Sequence, residues 1–223
     1  VREAKGSKKV MIRNVAEAKY EHCWVPIVER TFTPKVQDKI SFDAYFLHIL
    51  LHEISHGLGP GIITKDGNKT TVSAELKETY PTLEEAKADL LAVHNAFILA
   101  EKEVLTEKEA WSALHSFIAG TLRSIRFGIN EAHGGANSIA LNWLFKQGAV
   151  VWQVDRMGIK PDLAKDALRK LAEKILIIQA KGNYEAAKEL IQKYRTPTNR
   201  VIDAIEHLKD IPIDINPQAP LAP

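Results

Sequence analysis

The sequence predicts a mainly α-helical protein, and three observations carry that reading. Apolar residues recur at helical spacing through most of the 223 residues. Helix-start signatures recur as well, Thr82 with Glu85 and Thr106 with Glu109, each pair three residues apart. Turn and strand chemistry is concentrated in one short stretch, 58–73. With 45% hydrophobic and 26% charged residues, the chain has an ordinary globular composition and length enough to bury a substantial core.

The elements follow in order. Val15, Ala18 and Val25 predict a first helix over 14–29, kinked or ended by Pro26. The segment SFDAYFLHILLHEISHG predicts a second, capped by Ser41, stopped near Gly57 and too apolar for a surface helix. LGPGIITKDGNKTTVS carries the turn dipeptide Asp66-Gly67 between β-branched residues and reads as a loop or short β-hairpin. A third helix is expected from Thr82 to about 102, and a fourth from Thr106 to about 127. GINEAHGGANS breaks the pattern, with Asn137 or Ser138 capping a helix that holds Leu141, Trp143, Leu144 and Phe145. Three more helices are expected over 161–180, 184–194 and 197–208, the last with Thr196 as cap and Pro197 in its first turn. Residues 1–210 then read as one helical domain and 211–223 as an extended proline-rich tail.

Composition excludes several function classes. The net charge is +2 with both signs interspersed, so no basic stripe points to nucleic acid or an anionic membrane. No apolar run approaches the ~20 residues of a membrane span, and the first 25 residues lack a signal-peptide core. Cys23, the only cysteine, excludes an internal disulfide or a site of several thiolates and points to a reducing, cytoplasmic setting. The chain opens on Val1 rather than Met, as a fragment or processed product would.

The chemistry concentrates on the second helix. His52 and His56 are four apart, so both imidazoles leave one face and can ligate a single ion. Glu53 lies one position round, beside the coordination sphere, where it can take a proton from water without being a ligand. With 8 histidines in the chain the HExxH pattern has a chance expectation of about 0.02, so it is informative without being decisive. The ordinary alternative is a pair of polar positions on a buried helix, which leaves three polar groups in need of partners. His48 extends the row, but three histidines at this period span about 12 Å and cannot share one ion, so it is assigned to packing or support. A catalytic zinc needs a third protein ligand and an open position. HExxHxxGxxH is ruled out because Ile62 stands at its last position, and Glu75, Glu78, Glu84 and Glu85 remain as candidates. Glu84 and Glu85 open a well-formed helix, and Asp89 shares the face of Glu85, where it can orient a histidine. A solvated acidic helix start is the ordinary reading of the same residues. His94 and His115, within helical patterns, and Trp111, Trp143 and Trp152 read as structural.

HEISHGLG, followed by LEEAKADLLAVH and then EAHGG, resembles the catalytic region of dipeptidyl peptidase III-like zinc metallopeptidases. The resemblance runs from Met11 to about Leu208, and its Glu-Glu-x-x-Ala-Asp pattern is the more specific part. It implies a helical zinc-metallopeptidase catalytic domain holding one Zn²⁺ through His52, His56 and Glu85, with Glu53 as general base. It implies supporting roles for Glu84 and Asp89, a transition-state role for His133, and a peptide substrate cut into dipeptides from its N-terminus. The chain departs from the family in three ways. Its histidine motif has the five-residue form where many members carry an extra residue. Asn137 stands where relatives place a substrate-binding arginine. The family's proteins are longer and two-lobed, so the resemblance implies a substrate-binding lobe of a longer chain beyond these residues. Two rival functions stand beside the peptidase: a zinc-stabilised module that binds peptide without cutting it, and a zinc hydrolase of a non-peptide amide or ester.

Overall fold

The computed structural model describes residues 10–216. It opens with α1 (Arg13–Lys19), a π-helical turn (Tyr20–Trp24) and α2 (Val25–Thr31), which follow one another without a loop. Pro26 neither ends nor breaks this run. It sits in the first turn of α2, and the π turn absorbs its missing N–H, with the Val25 N–H reaching back to the Tyr20 carbonyl.

After the short α3 (Pro34–Gln37) comes α4 (Phe42–Ser55), capped as expected by Ser41, whose hydroxyl accepts the Ala44 N–H at 3.2 Å. As its apolar sequence implies, α4 packs into the body of the molecule, against the central helix of the fold. Its His52 face lies inside, whereas Leu50 and Ile54 on the other face are 40% and 52% exposed. The predicted hairpin is present, with β1 (Ile62–Lys65) antiparallel to β2 (Asn68–Thr71) and both Asp66 and Gly67 at positive φ in the turn.

A short α5 (Val72–Leu76) and a 3₁₀ turn (Lys77–Thr79) lead into α6 (Tyr80–Glu101), the central helix. It starts before the predicted Thr82, with Pro81 in its first turn. Thr82 is therefore inside the helix and buried, and the capping box with Glu85 does not form. The box predicted at Thr106 and Glu109 does form, at the head of α7 (Glu107–Ile125).

Next comes α8 (Ala132–Lys146), which begins more than a turn before the predicted caps, with Asn137 and Ser138 inside it. The glycines that read as a break are what permit this start. A Cβ on Gly134 would lie 2.0 Å from the Gly128 carbonyl oxygen, and one on Gly135 would lie 2.9 Å from that of Ile129. A second hairpin, β3 (Val150–Gln153) with β4 (Arg156–Ile159), is absent from the sequence reading. Its tip, Val154-Asp155, puts a β-branched residue at φ 57° and so lacks the usual turn residues. The chain then runs through α9 (Pro161–Lys181), α10 (Tyr184–Tyr194) and α11 (Asn199–Glu206). Pro197 lies just before the N-cap Thr198 of α11 rather than in its first turn.

The core forms around α6, which packs on α4, α7, α8 and α9. Leu83 and Leu90 of α6 are sealed there with Leu114, Ile118 and Leu122 of α7 and Ile139 of α8. The start of the proline-rich tail is held down: Ile211 is buried, and Arg126 donates to the carbonyls of Leu208 and Ile211. The remainder of the tail, 217–223, lies outside the described residues. Among the described residues no helix is long and apolar enough to cross a membrane. His115 is buried and its Nδ1–H donates to the Trp111 carbonyl at 2.7 Å, His94 is exposed, and Trp143 donates to the Ala167 carbonyl, all structural placements.

Candidate metal centre

Helices α4, α6 and α8 bring five ionisable side chains to one point. His52 and His56 leave the same face of α4, Glu84 and Glu85 sit in the second turn of α6, and His133 sits in the first turn of α8. His52 Nε2 lies 3.2 Å from Glu85 Oε2, His56 Nε2 lies 3.6 Å from the same oxygen, and the two Nε2 atoms are 3.1 Å apart. Tetrahedral ligands on bonds of about 2.0–2.1 Å stand about 3.3 Å from one another. These three atoms therefore have the spacing of a ligand set around one small cation.

The hydrogen bonds behind the histidines make the same point independently. His52 Nδ1 meets Asp89 Oδ1 at 2.7 Å, and His56 Nδ1 meets Glu84 Oε1 at 3.1 Å. An ionised carboxylate only accepts, so both Nδ1 atoms carry hydrogen and both Nε2 atoms of the neutral rings present lone pairs. Two lone pairs 3.1 Å apart repel unless a positive charge lies between them. Glu85 Oε2 adds to that demand, being buried without an aligned hydrogen bond although three ring nitrogens surround it. In the absence of a metal a proton answers the need. Burial opposes the charged form of His52, but Asp89 and Glu85 more than offset this and raise it to about 10. Burial pushes Glu85 up, while His133 and His52 bring it down to about 2.

The support for each histidine is built differently. Asp89, 7% exposed, also receives His48 Nε2 at 3.3 Å and Asn137 Nδ2 at 3.0 Å. Glu84 receives the Lys87 ammonium at 2.7 Å and Gln179 Nε2 at 3.1 Å. Lys87 is 2% exposed, and its second bond, 2.7 Å to the Leu58 carbonyl, ties down the loop that leaves α4. That loop turns at Gly59, where φ is 84° and a Cβ would sit 3.0 Å from Leu176.

His133 Nε2 is 3.1 Å from Glu85 Oε2, with its side chain 60% exposed, and its pKa is raised chiefly by that carboxylate. His52, Glu85 and His133 thus offer three atoms within 4.8 Å of one another, a grouping that overlaps the sequence-predicted set. Glu53 is half-buried and lines a cavity of about 180 Å³ that also borders His52 and His133.

No protein-family model matches the chain. Two solved structures match it closely. One is DPP III from Caldithrix abyssi, with TM-score 0.93 and 43% identity, covering 96% of this chain and 41% of that one. The other is dipeptidyl-peptidase III from Corallococcus sp. strain EGB, with TM-score 0.92 and 38% identity, covering 96% of this chain and 40% of that one. Over 96% of its length the chain is similar in sequence and fold to these dipeptidyl peptidase III structures. It spans about two fifths of the length of those structures. A plant protein, Nudix hydrolase 3 of Arabidopsis thaliana, is 41% identical over 223 residues, covering 98% of this chain and 29% of that protein.

All seven sequence-predicted site residues border this one region. The open choice among glutamates is narrowed by their partners: Glu75 is engaged by Lys65 and Thr70, and Glu78 by the Tyr184 hydroxyl, which leaves Glu84 and Glu85 at the histidines. Lys87, Gln179 and Asn137 are the supporting residues that the sequence reading missed. Lys87 had a signal, a lone lysine among Ala86, Ala88, Leu90 and Leu91 three residues after a site glutamate. Gln179 had none, since nothing local in α9 marks it.

Proposed function

We propose that this chain is the zinc-holding catalytic region of a peptide hydrolase that releases dipeptides from peptide N-termini. The observation that carries the reading is the triangle of His52 Nε2, His56 Nε2 and Glu85 Oε2, with sides of 3.1–3.6 Å and both histidines oriented by carboxylates. We assign these three as ligands of one Zn²⁺, with Asp89 and Glu84 fixing the rings. His133 is placed outside the set because it is more exposed and no carboxylate is recorded at its Nδ1, whereas both α4 histidines have one.

Zinc held there supplies a Lewis acid that polarises a carbonyl and brings the pKa of water towards neutrality. Glu53, beside His52 on the cavity wall, takes the proton of the attacking water and returns it to the leaving amine. His133, on the exposed rim, donates a hydrogen bond to the oxyanion, a role worth about 3–4 kcal/mol where such donors have been removed. Dipeptide release rests on the likeness to the dipeptidyl peptidase III structures. The plant relative's name points to another class of hydrolase, but the match covers 29% of that protein, and the histidines and carboxylates that would hold zinc are present in this chain.

Metal analysis and a substrate panel test the proposal together. The purified chain is expected to hold one zinc, Glu85→Ala to lose it, and Glu53→Gln to keep it while losing turnover of dipeptidyl amides. Zinc retained by Glu85→Ala would defeat the ligand set. Cuts inside a blocked peptide would overturn the exopeptidase part. Zinc-dependent stability without cleavage of any peptide would leave a binding module instead.

A further inference from the structure

The cavity at the metal centre reaches well beyond it. Tyr45 and His52 both line it, seven residues apart on α4, which is about 10 Å along the helix axis. Its apolar wall is Trp24, Tyr45, Ile49 and Phe117. Gly120 shapes this wall, because a Cβ there would lie 2.9 Å from Trp24 Nε1, so only a bare backbone lets the indole lie against α7.

Three polar atoms of the lining residues are buried without hydrogen-bond partners: Ser116 Oγ, Arg123 Nε and His48 Nδ1. Ser116 is 3% exposed. Buried polar groups in native proteins are ordinarily satisfied, so three around one cavity call for a partner that enters it, water or a polar ligand. Arg123 is the cationic residue of a lining that also holds Glu53 and Asp89, and its own carboxylate partner is shared. Asp214 is shared by Arg123 at 3.3 Å and Lys19 at 3.1 Å, two cations on one carboxylate. His48 commits its Nε2–H to Asp89, which leaves Nδ1 as an acceptor. A volume of about 180 Å³ suits a single residue rather than a length of peptide.

We infer that this end of the cavity is a carboxylate subsite, in which Arg123 and Ser116 hold a carboxylate of the peptide and His48 Nδ1 accepts an amide N–H. The inference rests on the peptidase reading and names a substrate feature for it. A guanidinium in this position repels a peptide's ammonium end and attracts either the chain-terminal carboxylate or an acidic side chain.

Isothermal titration of the zinc-loaded Glu53→Gln chain tests it, since the probes then survive. The probes are trialanine with a free carboxylate, trialanine amide, and the same amide with glutamate in the middle. One of the two carboxylate probes is expected to bind at least tenfold more tightly than the neutral amide, and which one does identifies the source of the carboxylate. Arg123→Met should abolish the preference, and Ser116→Ala, which leaves the Asp214 contacts alone, should weaken it severalfold. Equal binding of all three probes at full zinc occupancy marks a cavity that holds only water and overturns the subsite, as does a preference that survives both substitutions. Failure of the parent chain to hold zinc would instead sink the peptidase reading, so zinc content is measured on every sample.

Discussion

His52 and His56 stand one turn apart on α4, and each gives its Nδ1–H to a carboxylate of α6, yet the two carboxylates are held in contrasting ways. Asp89 lies in the core, and its further partners are an amide and an imidazole, Asn137 and His48. Glu84 lies towards α9 and the loop after α4, and its charge is matched by the buried ammonium of Lys87. The Asp89 arm therefore leaves its negative charge to the histidine and whatever cation joins it, whereas the Glu84 arm shares its charge with lysine and adds a mechanical link to the loop. One arm tunes the centre and the other anchors it.

The largest effect is expected from breaking the anchoring arm. Glu84→Ala strands the Lys87 ammonium in a site only 2% exposed, with the Leu58 carbonyl as its remaining recorded partner. Loss of one member of a buried pair typically costs about 3–5 kcal/mol. Denaturant unfolding in the presence of chelator should show a loss of that order. The double variant Glu84→Ala with Lys87→Met should recover a large part of it, because the uncompensated charge is gone. A double variant no more stable than the single one would mean that Lys87 is not held by Glu84 in the way described.

Next in size is the tuning arm. Asp89→Asn keeps the shape and removes the charge behind His52, so zinc affinity should fall by about 10–100-fold, the usual effect of losing such a partner. Competition with a metal chelator measures it. An equal fall in Glu84→Gln would remove the distinction between the arms; a smaller fall there, with a larger loss of stability, would sharpen it.

The same contrast was only partly legible in the sequence. Spacing alone placed His52, His56 and Glu53 on α4 and put Glu85 and Asp89 on one face of α6, because a helix fixes what four residues can reach. The two glutamates could not be ranked by spacing, since these neighbours on α6 both reach the histidines, Glu85 at the Nε2 atoms and Glu84 at His56 Nδ1, and only the packing of α6 on α4 decides which meets which. Gln179 comes from α9 and is near Glu84 only through tertiary packing, which no local pattern encodes. The β3–β4 hairpin was hidden for a related reason, as its Val154-Asp155 tip gains its conformation from context rather than from turn residues.

The pH response of the centre follows from the tuning arm. In the metal-free chain His52 is raised from 6.5 to about 10, so the stability it contributes is fully present below pH 6.5 and is lost as pH rises through 10. Glu85, lowered from 4.5 to about 2, and Asp89, also lowered, contribute above the usual carboxylate range and lose that contribution as pH falls through their depressed values. The metal-free chain should therefore be most stable near pH 5–6.5 by thermal unfolding, a window of about that width following from the two linkages. Zinc must displace the His52 proton, so the stabilisation it adds should grow with pH above 6.5, with close to one proton released per ion in calorimetry. Zinc stabilisation that is flat between pH 6 and 8 would contradict the lone-pair geometry of the two Nε2 atoms.

The smallest effect compares one amide from each arm. Asn137 donates Nδ2 to Asp89 and to the His133 carbonyl, so Asn137→Ala forfeits a bond to a buried charge worth about 1.5–3 kcal/mol. Gln179 also donates to a carboxylate, but its Oε1 is buried without a partner, a group whose burial costs about 1–3 kcal/mol. Gln179→Leu removes the favourable bond and the unfavourable carbonyl together, and the two nearly cancel. A change within about 1 kcal/mol is expected for Gln179→Leu, against a clear loss for Asn137→Ala, both read by denaturant unfolding without metal. Equal losses would show that a ligand or water satisfies Gln179 Oε1, and the anchoring arm would then extend further into α9 than its hydrogen bonds to Glu84 indicate.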